Sequence, residues 1–267
     1  MVLSEQRATW LAKVGEPARS CVLRGVEVAE AVVANAHQAI RYWAIWESLN
    51  ARLEPSSPMR SLIEAHDPPG LAPIRQALGE AAILATLRVS DNPKNDGPLS
   101  VCLLSGLLHN ENVVEVLTSV EWITDGHTSL ERMIHEAEYT AQPARIEWIK
   151  ERVPQGWGKP SWPPENDELN RARNALKTFR DKRIAHTDRD LVDAPTVDEL
   201  RQALKITQQV AEMTSLVFLG STSALHCDSS EWTRQYDGFW HYFERGLSDP
   251  QQPPSPSRNG SSGQARE

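Results

Sequence analysis

The chain has 267 residues, of which 40% are hydrophobic and 24% are charged, an ordinary globular composition with enough residues to bury a core. Its formal net charge of −8 argues against a surface that binds nucleic acid throughout, but it allows a local basic groove. The three cysteines are far apart, residues 1–15 lack a hydrophobic signal core, and no apolar run is long enough to cross a membrane. We therefore expect a cytoplasmic protein without a disulfide framework and without a membrane partner.

Helical periodicity dominates the sequence, and no alternating pattern is long enough to predict a strand. In chain order, the predicted helices cover about 21–53, 72–90, 99–109, 111–122, 128–139, 143–152 and 166–186, then a helix opened by the capping-box pattern Thr196-Val-Asp-Glu199, and finally 221–246. Loops are predicted at the breaker 55–58 and over 91–98, 154–164 and 188–195. The sequence thus predicts an all-α fold, with one helical domain over 1–247 and a disordered Pro/Ser/Gly-rich tail over 248–267.

The helix predicted over 166–186 carries the strongest positive concentration in the chain. Its apolar residues share one face at helical spacing: Leu169, Ala172, Leu176 and Phe179. Continuing that spacing brings Arg183 and His186 onto the same face, with Arg180 beside it. Residues 171–190 include seven basic and three acidic side chains, a local excess of +4. Arginines grouped in this way suit phosphate, and a helix C-terminus favours a protonated His186 by up to about 2 kcal/mol.

The segment Arg180-Asp-Lys-Arg-Ile-Ala-His186 resembles the signature of the HEPN superfamily. That signature is an arginine, usually followed by a polar residue, with a histidine a few residues later. The run through Asp188 is especially similar to the AbiU-like abortive-infection branch. A weaker resemblance to the helix-loop-helix upstream in that branch covers residues 82–104, including Arg88 and Asp91. The resemblance implies a HEPN-like helical bundle with additional N-terminal helices, which forms a homodimer through the motif helices.

The resemblance also implies a metal-independent endoribonuclease that acts in phage defence or in a toxin–antitoxin role. In such enzymes the ribose 2′-OH attacks the adjacent phosphorus, which leaves a 2′,3′-cyclic phosphate and a 5′-OH. The expected catalytic residues are Arg180, which would stabilise charge on the phosphorane, and His186, which would exchange a proton. The expected supporting or phosphate-binding residues are Asp181, Lys182 and Arg183, and the candidate cleft residues are Arg88 and Asp91. Family spacing favours Arg180 as the key arginine, whereas the helical stripe favours Arg183.

Two other interpretations are compatible with the same residues. The chain could be a non-catalytic helical module that binds RNA or protein, or that dimerises, and it could be a purely structural dimer. The expected partners are RNA, a second copy of the chain, and an antitoxin or sensor protein. We expect no cofactor, and no metal either, because the histidines lack metal-ligand spacing. Serine and cysteine nucleophile motifs and a Gly-rich phosphate loop are absent from the sequence, which disfavours hydrolases of those classes. The tryptophans are predicted to be core or interface anchors.

Overall fold

The computed structural model describes residues 4–54, 57, 60, 71–91, 100–124, 129–153, 167–184, 194–220, 234, 236–238 and 240–241. Of these residues 87% are helical and none lies in a strand, which confirms the predicted all-α class. The α-helices are α1 (Glu5–Leu11), α2 (Ala18–Leu53), α3 (Leu71–Ser90), α4 (Val101–Leu107), α5 (Glu111–Thr118), α6 (Val120–Thr124), α7 (Ser129–Arg152), α8 (Asp167–Phe179) and α9 (Val197–Thr214). Two π-helical turns, Arg180–Ile184 and Ser215–Leu219, continue α8 and α9.

Helix α2 is the central element, because it contributes to both large groups of buried residues. At 1.5 Å per residue its 36 residues span about 54 Å. Its first half packs with α1, α4–α7 and the end of α9 in one apolar cluster. Its second half, which includes Trp43, packs with α3, α8 and the start of α9 in another. Gly25 allows the close packing of α2 at the second π turn, because a Cβ at this position would collide with the ring of Phe218.

Helix α1 was not predicted, and a buried arginine ties it to two distant segments. Ser4 caps the helix by accepting a hydrogen bond from the backbone N–H of Arg7 at 3.1 Å. The Arg7 side chain is 4% exposed; its Nε donates to the Trp122 carbonyl at 2.9 Å and its Nη1 to the Leu219 carbonyl at 2.8 Å. Gly220 follows with a φ of +66°, and any Cβ there would collide with the Arg7 guanidinium. The arginine thus satisfies carbonyls at the ends of two helical segments.

The prediction of separate helices over 128–139 and 143–152 is wrong, because α7 runs unbroken from Ser129 to Arg152 with Pro143 inside it. Proline removes one backbone donor, yet it lies on the exposed side of the helix here. The neighbouring Gln142 is buried, and its amide donates to the carbonyls of Leu117 at 3.2 Å and Val217 at 3.1 Å. Ile146 is also buried. These tertiary contacts stabilise a continuous helix against the local preference of proline.

The single helix predicted over 111–122 is also wrong, because it is divided at Ser119. Ser119 takes an extended conformation, with φ −69° and ψ 149°, and its hydroxyl donates to the Val116 carbonyl at 2.7 Å. The same oxygen accepts from the Trp122 backbone N–H at 3.3 Å, which starts α6. The break turns Trp122 into the core, where its side chain is 1% exposed.

The other helix predictions agree with the structure to within a few residues wherever the chain is described. The capping box at Thr196 is present, with reciprocal hydrogen bonds to Glu199. Apolar residues at helical spacing along α9 and its π turn face the core, since Ala203, Val210 and Val217 are buried. The helix predicted over 221–246 is described only at six positions, all helical, and the tail over 248–267 lies outside the described residues. In the described part of the chain, no helix combines the length and the hydropathy that a membrane span requires.

Candidate functional site

The candidate site lies where the end of α8 meets the end of α3. The predicted apolar stripe of α8 is confirmed where its side chains are described, since Ala172, Leu176 and Phe179 are buried. The α-helical geometry ends at Phe179, and Arg180–Ile184 forms a π-helical turn that contacts α3. The spacing of 100° per residue that predicts Arg183 on this stripe does not hold in a π turn, which places more residues in each turn, and the side chain of Arg183 lies outside the described residues.

Arg180 is fixed at the start of this turn by two carboxylates. Its Nη1 donates to Asp91 Oδ2 at 2.6 Å, and its Nε donates to Asp181 Oδ1 at 2.8 Å. The side chains of Arg180 and Asp91 are 21% and 23% exposed, so their ion pair is largely shielded from solvent. Within the described part of the chain, Nη2 of Arg180 makes no hydrogen bond. The guanidinium is thus held through two of its nitrogens, Nε and Nη1, and it keeps further N–H donors for a third group.

A second, more deeply buried arginine lies behind Arg180. Arg173 is 7% exposed, and its guanidinium donates to the Ser90 carbonyl at 3.2 Å and to the Ser90 hydroxyl at 3.4 Å. Ser90 is the last residue of α3, so Arg173 places a cation where helix carbonyls lack intrahelical partners. Cys102 on α4 points its thiol at the same carbonyl, with 3.7 Å between Sγ and O.

Electrostatic coupling joins these groups into one cluster. Burial lowers the pKa of Arg180, but the hydrogen bonds that Arg180 donates to Asp91 and Asp181, together with the negative charges of these carboxylates, outweigh it and raise the pKa. Burial lowers the pKa of Arg173, and the positive charge of Arg180 acts in the same direction, while Asp91 opposes it. Burial raises the pKa of the Cys102 thiol. Two guanidiniums and two carboxylates therefore form a formally neutral group, in which Asp91 contacts Arg180 and its negative charge also acts on Arg173.

The structure brings together some of the site residues that the sequence predicts. Arg180, Asp181 and Asp91 are in direct contact. Lys182 is exposed on the π turn, and Arg88 is exposed in the last turn of α3 without an ion pair to any described residue. The backbone of Arg183 belongs to the π turn, but its side chain lies outside what the structure describes, as does the whole of His186.

Sequence reasoning missed the buried part of the cluster. Arg173 was counted only as one of seven basic residues, although it lies seven positions before Arg180, two helical turns away on the same face. That spacing was the available signal. Nothing local predicted Ser90 or Cys102, because their contacts with Arg173 depend on the packing of three helices. Among the described residues, no three His, Cys, Asp or Glu side chains are close enough together to hold a metal ion.

Comparisons of the chain with protein-family models, with curated proteins and with solved structures find no significant match.

Proposed function

We propose that this chain is a metal-independent endoribonuclease of HEPN type that acts in phage defence or as the toxin of a toxin–antitoxin pair. The observation that carries the proposal is the fixed position of Arg180 at the π turn, between Asp91 and Asp181 and six residues before His186. π-helical segments in α-helices occur frequently at functional sites. The sequence resemblance and the all-α fold support the same proposal.

In the proposed reaction, the 2′-OH of RNA loses its proton and its oxygen attacks the adjacent phosphorus. The bond from phosphorus to the 5′-oxygen then breaks, and that oxygen takes up a proton, which leaves a cyclic phosphate and a 5′-OH. Arg180 would donate its remaining N–H groups to the phosphorane oxygens, where negative charge accumulates. His186, whose ordinary pKa is about 6.5, would transfer the proton.

The pairing of Arg180 favours one alternative, a non-catalytic module that binds RNA or protein, or that dimerises. Two carboxylates already balance the charges of Arg180 and Arg173, so a phosphate would meet a formally neutral cluster. An arginine that serves only to join α8 to α3 would have this same pairing. The two interpretations differ in whether Arg180 can donate to a group outside the chain.

Cleavage and binding of total RNA in EDTA test the proposal. The variants are His186→Ala and Arg180→Gln, with Arg171→Gln as the matched control, because Arg171 is exposed on the same helix without an ion pair to a described residue. We expect His186→Ala to lower the cleavage rate by at least about 10²-fold, the usual contribution of a positioned acid or base, and Arg171→Gln to lower it less than about threefold. Variants would be compared at matched helix content and oligomeric state.

Three outcomes separate the interpretations. Cleavage by wild type and by Arg171→Gln, but not by the other two variants, supports the ribonuclease. RNA or protein binding without cleavage supports the module. Cleavage by His186→Ala at the wild-type rate contradicts the assignment of the site. The homodimer is a separate proposal, which the molar mass in solution tests directly.

A further inference from the structure

A cavity of about 480 Å³ opens between α2, α3, the end of α8 and the start of α9. Its volume lies within the usual range for small-molecule sites of about 300–1,000 Å³. Neither Arg180 nor Arg173 lines it, so it is separate from the arginine cluster. Phe179 forms part of its wall, and it therefore adjoins the segment that positions Arg180.

The apolar side of the cavity is built around two stacked indole rings. Trp43 and Trp46 have ring centroids 4.9 Å apart, with planes inclined by 18°. Within the described residues Trp46 has no other ring partner, so its second face is not stacked. Pro73 and Pro195 also line the cavity and add rigid apolar surface to it. Such a cavity favours a planar aromatic ligand, because a flat ring can stack on the face of Trp46.

Three polar groups at the cavity add requirements on the ligand. The indole Nε1–H of Trp46 lies beside Gly79 and has no hydrogen-bond partner in the described part of the chain. Glu80 lines the cavity and accepts from Gln76 Nε2 through Oε1 at 2.7 Å, which leaves its carboxylate room for another donor. Arg75 lines the cavity as an exposed cation, without an ion pair to any described residue. A ligand that fits must offer an acceptor, a donor and an anion.

We propose that this cavity binds a purine nucleotide. The base stacks on Trp46, one of its acceptor atoms takes the indole N–H, and an amino or ring N–H donates to Glu80. The phosphate then pairs with Arg75, which is five residues before Glu80 and thus about 7.5 Å away along the helix axis. That separation accommodates base and ribose between carboxylate and phosphate. A purely apolar ligand would leave Arg75 and Glu80 unused, and a ligand with no anionic group would leave the cation unpaired.

Calorimetric titration of the full chain with AMP, GMP and adenosine tests the proposal. The first variant is Gly79→Leu, which introduces a helix-forming residue into α3 and fills the cavity beside Trp46. The second is Arg75→Glu, which reverses a charge at an exposed position, where we expect the fold to remain intact. Lys13→Glu, at an exposed cation after α1 that does not line the cavity, is the matched control.

We expect wild type and Lys13→Glu to bind at least one of the two nucleotides equally. Gly79→Leu should weaken nucleotide and nucleoside together, by about tenfold or more, because stacking area is lost. Arg75→Glu should weaken the nucleotide about tenfold and adenosine less than about twofold, since only the nucleotide carries the charge. No binding of any purine at millimolar concentration, or binding that Gly79→Leu leaves unchanged, would overturn the proposal.

A free nucleotide and an unpaired purine of single-stranded RNA offer the same chemistry, and competition distinguishes them. A short purine-containing oligoribonucleotide that displaces AMP or GMP, or binds in their place and is weakened by Gly79→Leu, identifies RNA as the source. Free nucleotide binding without such competition identifies a nucleotide effector. The inference is independent of the ribonuclease proposal: nucleotide binding by a chain that cuts no RNA supports it, and RNA cleavage without purine binding contradicts it alone.

Discussion

The ion pair between Arg180 and Asp91 joins α8 to the end of α3 and can be measured by a double-mutant cycle. The substitutions are Arg180→Ala, Asp91→Ala and the two together. The pair is short, at 2.6 Å, and about four-fifths of each side chain is shielded from solvent. Removing either partner leaves the other charge in a partly desolvated place. Removing Asp91 also strengthens the repulsion between Arg173 and Arg180, since the negative charge of Asp91 acts on both arginines.

The expected coupling energy lies between the values for exposed and for buried pairs. Exposed pairs contribute about 0.2–1 kcal/mol, and breaking a fully buried pair costs about 3–5 kcal/mol. With one-fifth of each side chain still exposed, we expect a coupling of about 1–2 kcal/mol. The matched control is the pair of Arg201 and Glu47, at 3.1 Å with side chains 57% and 36% exposed, for which we expect less than about 0.5 kcal/mol.

Urea unfolding followed by circular dichroism gives the four free energies of unfolding of each cycle. The comparison holds only if the free energy of unfolding falls with urea concentration at the same slope in all four proteins. The expected result is a coupling for Arg180 and Asp91 that is at least about twice that of the control pair. A coupling below about 0.5 kcal/mol, equal to that of the control, would refute the argument that Asp91 fixes Arg180.

Three further expectations concern stability and reactivity. Arg7→Met should lower the free energy of unfolding by about 3 kcal/mol, because two buried carbonyls lose a charged donor; a loss below about 1 kcal/mol in urea unfolding would contradict this. Gly25→Ala should destabilise the chain by about 1–3 kcal/mol, because the new methyl collides with the buried ring of Phe218. Gly79→Ala should stabilise the chain by up to about 1 kcal/mol, because its new methyl makes only ordinary contacts. Equal shifts in the thermal midpoint of the two variants would refute this contrast. Cys102 should react with iodoacetamide at pH 8 at least about tenfold more slowly than Cys21, because burial excludes the reagent and raises the pKa of the thiol. The difference in rate should vanish when the chain is unfolded in urea. Equal rates in the native state would show that Cys102 is accessible.

Linkage gives the raised pKa of Cys102 a consequence for stability. The folded state binds the thiol proton of Cys102 more tightly than the unfolded state does. The resulting contribution to the free energy of unfolding is fully present below the unfolded pKa of about 8.5, and it is lost as the pH rises towards the pKa of the folded state. Cys102→Ala should therefore reduce the loss of stability between pH 8 and pH 10 in urea titrations. An unchanged pH dependence would show that other groups dominate that range.

The helical elements could be predicted from sequence where local signals and periodicity agree. Helix α9 is the clearest case, because its capping box at Thr196 and its apolar spacing both lie within the segment. The helix predictions failed where contacts between residues distant in sequence determine whether a helix forms or continues. Pro143 predicted a break, but the hydrogen bonds of Gln142 to two remote carbonyls hold α7 together. Arg7 and the helix that carries it were missed, since the groups that satisfy this arginine lie more than a hundred residues away.

The candidate site could be predicted only in part, for a similar reason. Arg180 and Asp91 are 89 residues apart, and no spacing rule connects them; their association came from a family resemblance. The π turn has no sequence signal, so a position for Arg183 extrapolated with α-helical geometry rests on a spacing that the backbone does not keep there. Arg173 lies on the same face as Arg180 and could have been found from spacing, but its burial depends on the end of α3.

The most direct test of the proposed ribonuclease is to count 2′,3′-cyclic phosphate ends after total RNA is incubated with the purified chain in EDTA. The account predicts that wild type and Arg171→Gln produce these ends, together with 5′-OH ends, and that His186→Ala and Arg180→Gln do not. Cyclic phosphates formed at the wild-type rate by either of the latter variants would contradict a site built on Arg180 and His186. RNA left intact by every variant, including wild type, would contradict the ribonuclease itself.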